Sequence, residues 1–187
     1  HGFEGTEAYY GPFELIHANN LANTTGQTGA FDIDTEQVLA WDPDVIFVDF
    51  NGMSLIKDDY AANSAFYNSL TAVKEGKVYS QISFRYCASN LDTALADAYY
   101  AATILYPEQF ADVDLEAKIG EIYEHLLGSN PYNDQKEAGY DDSNVKAPEK
   151  EEVIIRKPDA DGNYVNNGDF SVKEDLGDDT DWKFLTT

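Results

Sequence analysis

Residues 31–50, Phe31 through Trp41 to Phe50, constrain the fold more than any other part of this chain. Asp34 precedes an apolar periodic run and Gln37 follows three residues later, the spacing of a capping box in which two side chains satisfy orphan backbone donors. A helix is expected to start there, with Val38, Leu39 and Trp41 as its apolar side. Asp42-Pro43 ends it, because the residue before proline is pushed out of the helical region. Val45 to Phe50 is then a nearly unbroken apolar run rich in β-branched residues, which suits a strand covered on both faces. Asn51-Gly52 closes that strand.

Helix and strand runs keep alternating through the first 128 residues, the pattern of an α/β lobe. A second helical run covers 61–73 and a second strand 77–82. Leu91, Leu95, Ala98 and Ala102 fall on one side of a crossover helix over 91–105, stopped by Pro107. Asp114 opens a last helix that carries Leu115, Ile119, Ile122 and Leu126 and ends at Gly128. Beyond it, over 129–187, composition shifts to Asn, Pro, Gly, Asp and Lys; residues 134–187 hold seven lysines and arginines against five in the first 133. That is a linker signature. Within it Glu152 to Arg156 and Tyr164 to Val172 form a candidate β-hairpin, and Asn166-Asn167-Gly168-Asp169-Phe170 resembles the opening strand of carbohydrate-binding β-sandwich modules.

A formal charge of −23 excludes nucleic acid and anionic membrane surfaces as partners, since both would be repelled. Cys87 is the single cysteine, so neither an internal disulfide nor a CxxC metal site is possible. No apolar run reaches the roughly 18 residues that span a bilayer. His1, His17 and His125 lack metal-ligand spacing, and Asp159 to Asn163 lacks the acidic positions of a calcium loop. Nor is there a Ser/His/Asp set, a nucleophile elbow or a Gly-rich phosphate loop. No cofactor, metal site or enzymatic activity is expected.

Five strings in succession carry a family resemblance. They are Thr35-Glu36-Gln37-Val38-Leu39, Asp42-Pro43-Asp44-Val45-Ile46, the stretch Leu70 to Tyr79, Asn90 to Leu95, and Leu105 to Phe110. In combination they resemble the C-terminal lobe of the substrate-binding proteins of iron-siderophore, haem and vitamin B12 importers, over about residues 1–128. Glu4, Gly5, Thr6 and Tyr10-Gly11-Pro12-Phe13 resemble the loop that opens this lobe. The resemblance implies a Rossmann-like three-layer lobe with a central, mostly parallel sheet. It also implies an N-terminal lobe absent from this chain, an extracytoplasmic location on a bacterial lipoprotein, a metal-chelate ligand and an ABC permease as partner. The start at His1 reads as an interior cut of a longer protein.

Open parallel sheets bind ligands beyond the carboxyl ends of their strands. Three segments qualify: Glu4 to Tyr10, Asn51-Gly52-Met53, and Ser83-Phe84-Arg85-Tyr86. Arg85 is the sole arginine of the first 133 residues and can pair with a carboxylate while stacking on a ring. That carboxylate belongs either to an anionic chelate or to a local acidic residue. Tyr9, Met53, Phe84 and Tyr86 would supply apolar walls, although strand-end aromatics also serve as ordinary rim packing. The resemblance makes Glu36 the permease-docking glutamate, with its counterpart on the absent lobe. The rival reading is a cell-surface carbohydrate-binding or adhesion protein in which the lobe is a spacer. A chelatase-like enzyme is a weaker rival.

Overall fold

The computed structural model describes residues 3–85 and 87–137. The possible hairpin, the sandwich-like segment and Tyr86 lie outside the described residues. In chain order the elements are β1 (Gly5–Ala8), α1 (Gly11–Leu15), β2 (Gly29–Asp32), α2 (Thr35–Trp41), β3 (Ile46–Asp49), α3 (Met53–Ala62), α4 (Ser64–Tyr67), α5 (Thr71–Lys74), β4 (Val78–Gln81), α6 (Leu91–Leu105), α7 (Leu115–Leu127) and α8 (Tyr132–Glu137). Single 3-10 turns occupy Leu21–Thr25 and Phe50–Gly52.

The apolar run after Pro43 becomes β3 and pairs in parallel with β4, Ile46 opposite Val78 and Asp49 opposite Gln81. Side chains alternate across this sheet. Val48 and Val78 enter a core with Val38, Met53, Ile56, Tyr60, Tyr67, Leu70 and Val73, which belong to α2 to α5 and the turn before α5. Phe47 faces the other way, its ring 5.8 Å from Tyr79, 5.2 Å from Phe13 and 6.4 Å from Tyr100 on α6. Helices therefore cover both faces of a short parallel sheet, the expected α/β layering. Strands β1 and β2 form a separate antiparallel pair, Gly5 opposite Asp32 and Ala8 opposite Gly29; β1 falls in the segment read above as the loop that opens the lobe.

Several local expectations need correction. Asp34 does stand at the start of α2, but its side chain makes no cap hydrogen bond there, so the capping box is not formed. Leu39 is exposed, leaving Val38 as the buried residue of α2. The helix ends as expected at Asp42, which adopts a left-handed conformation at φ 41°. The run over 61–73 is not one helix: Asn63 and the Asn68 to Leu70 turn divide it among α3, α4 and α5.

Helix α6 has the expected bounds, and Ala98 and Ala102 of the expected face are buried, but Leu91 and Leu95 are exposed and Ala94, Asp97, Tyr100 and Ala101 are buried with the alanines instead. Small residues let α6 sit close to α7, whose Ile119 and Tyr123 are fully enclosed. Asp114 caps α7 by accepting from the Ala117 N–H at 3.0 Å, and Gly128 ends it with φ 72°. Beyond Gly128, α8 continues the packing through Tyr132 and a Tyr123 hydroxyl to Gln135 Oε1 hydrogen bond of 3.1 Å.

Candidate functional site

The carboxyl ends of β3 and β4 are tied together by side chains from all three segments singled out in the sequence. The turn after β3 starts at Asp49, whose Oδ1 accepts from the Asn51 N–H at 2.9 Å and also from the Ser83 hydroxyl. Asn51 Nδ2 donates to Ser83 Oγ at 2.7 Å. Two loops 32 residues apart in sequence are thereby fixed against one another by groups that remain exposed. Gly52 sits in a right-handed conformation with nothing within 4 Å of where a Cβ would be. Met53 begins α3 and is buried in the core, so it supports the loop from beneath.

Past β4 the chain is held by Phe84, whose carbonyl accepts from Asn90 N at 2.8 Å and Asn90 Nδ2 at 3.0 Å. The Phe84 ring is buried against Tyr10, with centroids 5.4 Å apart. Arg85 lies over the outer side of that ring, its guanidinium carbon 4.9 Å from the centroid. Its Nη1 donates to Glu7 Oε2 on β1 at 2.6 Å. The local-carboxylate partner foreseen for Arg85 is therefore Glu7, and the stacking geometry is present with it. The other Glu7 oxygen, Oε1, is buried without a hydrogen-bond partner among the described residues. A carboxylate so placed has accepting capacity in reserve.

Tyr9 stands apart from this cluster. It is held in a left-handed conformation at φ 55°, its N–H donates to Asn23 Oδ1 at 2.7 Å, and its side chain is half exposed. Glu7 and Tyr10 lie inside the Glu4 to Tyr10 segment but were not named individually there, and Asp49 lies outside all three segments. Burial pushes the Tyr10 hydroxyl above its ordinary range, the charges of Asp97, Asp49 and Glu7 push it the same way, and Arg85 opposes them. The site thus combines one arginine with carboxylates. A signal existed for Asp49, an acidic residue closing an apolar strand just before Asn51-Gly52. Glu7 and Tyr10 become neighbours of β4's exit only through the β1 and β2 pairing.

Glu36 is exposed in the first turn of α2, where a carboxylate is favoured by the helix dipole. Asp42, at the far end of that helix, accepts from the Thr71 N–H and hydroxyl, each at 2.7 Å. The Thr71 backbone bond first, then the hydroxyl, hold its carboxyl below the usual range. Among the described residues no group of three or more His, Cys, Asp or Glu could hold a metal ion, and no helix is long and apolar enough to cross a membrane.

No protein-family profile matches this chain, and no curated protein matches it in sequence. Solved structures do match. The molybdate periplasmic binding protein MolA of a Haemophilus influenzae ABC transporter, bound to molybdate, is 24% identical with a TM-score of 0.53; the match covers 68% of this chain and 40% of that one. Helicobacter pylori CeuE with Ni(II) bound is 20% identical at TM-score 0.57, covering 70% and 43%. A periplasmic solute-binding protein of Veillonella parvula is 21% identical at 0.52, covering 67% and 39%. The chain spans about two fifths of the length of these structures, and what it shares with them is the α/β fold of a periplasmic binding-protein lobe.

Proposed function

We propose that the chain is the C-terminal lobe of an extracytoplasmic substrate-binding protein of an ABC importer, and that its ligand is a metal chelate: an iron-siderophore, haem or a corrinoid. The observation that carries this reading is the meeting of three separate segments at the carboxyl ends of β3 and β4, joined by the Asn51 to Ser83 and Arg85 to Glu7 contacts. That is where an open parallel sheet takes ligands. The fold shared with MolA and CeuE, one bound to molybdate and the other to Ni(II), supports a metal-containing ligand.

In this reading Asn51, Gly52, Ser83, Phe84 and Arg85 form one wall of a cleft, with Tyr9 at its rim and Met53 beneath. An N-terminal lobe of the same protein supplies the other wall. Arg85 exchanges Glu7 for an anionic group of the chelate while keeping its ring contact. The lobes close on the ligand by hinge motion and deliver it unchanged to the permease. Glu36 meets cationic residues of that permease and sets the orientation of docking. Residues 1–128 form the lobe together with α8, which packs on α7.

The test is a titration of the protein containing both lobes with haemin, a ferric catecholate siderophore and cyanocobalamin, followed by intrinsic fluorescence. One of the three should quench emission saturably. Silence with all three would refute the ligand class. Reversal of Glu36 to Lys should abolish uptake by cells without altering that titration; a variant with normal uptake removes Glu36 from docking.

A further inference from the structure

The two members of the Arg85 to Glu7 pair are held very differently. Glu7 sits in the ladder of β1 with β2, opposite Ala30. Its carbonyl accepts from Asn20 Nδ2 at 2.8 Å, and its side chain is only 17% exposed. Arg85 extends from the loop after β4 and is 50% exposed. Any exchange of partners therefore moves the arginine and leaves the carboxylate in place. Glu7 Oε1 is enclosed without a hydrogen-bond partner among the described residues, and among them no lysine pairs with Glu7. Nη1 of Arg85 against Oε2 is the contact that offsets this charge.

The surroundings make Glu7 a poor place for an uncompensated charge. After burial, the carboxylates of Asp97, Asp49 and Glu7 push the enclosed Tyr10 hydroxyl up, and Arg85 opposes them. A ligand that offers an anion alone would draw Arg85 off and strand Glu7 near two further carboxylates. Water solvates a departing, exposed guanidinium but not an enclosed carboxylate. We infer that Glu7 is a specificity-determining residue, a charge filter that admits ligands carrying an ammonium group close to their anionic group, as in an amino acid. The ligand anion pairs with Arg85, and its ammonium takes the place of Nη1 at Glu7 Oε2. Four charges then alternate in sign, and none is left enclosed without its opposite. The inference rests on the importer reading for the metal that the ligand carries, and it narrows that reading. A chelate with an amino-acid-type group fits, whereas haem, whose charged side groups are carboxylates alone, is disfavoured.

The test uses the 187-residue chain and no metal. The Arg85 side-chain signals and the Glu7 carboxylate carbon are followed by NMR during titration with β-alanine, N-acetyl-β-alanine and propionate, all at one ionic strength because exposed charges are screened by salt. β-Alanine should shift both residues saturably and bind at least tenfold more tightly than the other two, which share its carboxylate but lack its ammonium. The N-acetyl compound keeps an N–H donor, so its weaker binding separates charge from hydrogen bonding. In Glu7→Gln the preference should fall below threefold, with propionate bound more tightly than by the parent. Failure of β-alanine to shift the pair, equal binding of N-acetyl-β-alanine or propionate, or an unchanged preference in Glu7→Gln would each overturn the inference. The outcome is separable from that of the importer reading. Chelates that quench fluorescence beside an unselective pair would overturn the filter alone, and a selective pair with every chelate silent would refute the importer reading alone.

Discussion

Replacing Asp49 with Ala removes the acceptor that joins the ends of β3 and β4. In the native chain its Oδ1 takes a bond of 2.9 Å from the Asn51 N–H and a second from the Ser83 hydroxyl. Both are exposed, which places each in the lower part of the usual range, about 0.5 to 1 kcal/mol. Together they predict a loss of about 1 to 2 kcal/mol, or roughly 2 to 8 °C in Tm for a unit of this size. Asp49→Asn keeps one carbonyl oxygen in place and should lose less than half as much. Urea unfolding monitored by circular dichroism measures all three proteins, and Ser83→Ala with Asp49→Ala completes a double-mutant cycle. The coupling energy should be about 0.5 to 1 kcal/mol. A stability of Asp49→Ala equal to the parent, or strict additivity with Ser83→Ala, would show that Asp49 does not join the two loops and would leave the Asn51 to Ser83 bond alone to hold them.

Tyr67 is fully buried and donates to Asp59 Oδ2 at 2.5 Å; Tyr67→Phe should cost about 1 to 2 kcal/mol. Burial, then the Asp59 hydrogen bond and the Asp59 and Glu4 charges, raise the Tyr67 pKa. A raised folded-state value gives stability that is complete below the unfolded tyrosine pKa of about 10 and is lost as pH climbs above it. Denaturation profiles should therefore fall above about pH 10, less steeply in Tyr67→Phe; identical slopes would refute this. Asp114→Ala should lose about 1 kcal/mol through the α7 cap, and Gly128→Ala about 1 to 2 through its left-handed backbone, since no atom lies within 4 Å of the new Cβ. Thermal scans that find either variant unchanged contradict those assignments. Arg85→Ala separates structure from binding. Its pair with Glu7, in which Arg85 is half exposed and Glu7 largely enclosed, is worth about 1 to 2 kcal/mol, whereas calorimetric affinity for an anionic chelate should fall at least tenfold; an unaltered affinity would return Arg85 to a purely local role.

What could be read in the sequence was what local physics decides. Pro43 and the β-branched run after it specify the end of α2 and the line of β3. Asp114 and Gly128 bracket α7 with a side-chain acceptor and a glycine in the left-handed region, both visible in one dimension. Leu91 and Leu95 of α6 were misread because leucine was weighted above alanine. Close packing against α7 favours small residues there, and that preference depends on a neighbouring helix rather than on hydrophobicity. The pairing of β1 with β2 was hidden for a similar reason: Gly5 to Ala8 and Gly29 to Asp32 are short and of mixed polarity, so their partner decides their state. Strand polarity singled out Asn51, Ser83, Phe84 and Arg85 as candidates. Glu7 and Tyr10 required the three-dimensional meeting of β1 with the end of β4.

The central claim is that the ends of β3 and β4 form one wall of a chelate-binding cleft. Its most direct test is a two-dimensional NMR titration of the protein with the chelate that quenches its fluorescence, reading backbone amides and the Arg85 guanidinium together. Shifts should concentrate at Glu7, Tyr10, Asn51, Ser83 and Arg85, and the Arg85 side-chain signal should move as Glu7 is exchanged for the ligand. Shifts that cluster elsewhere, on the outer face of α7 for example, with these five residues silent, would contradict the account.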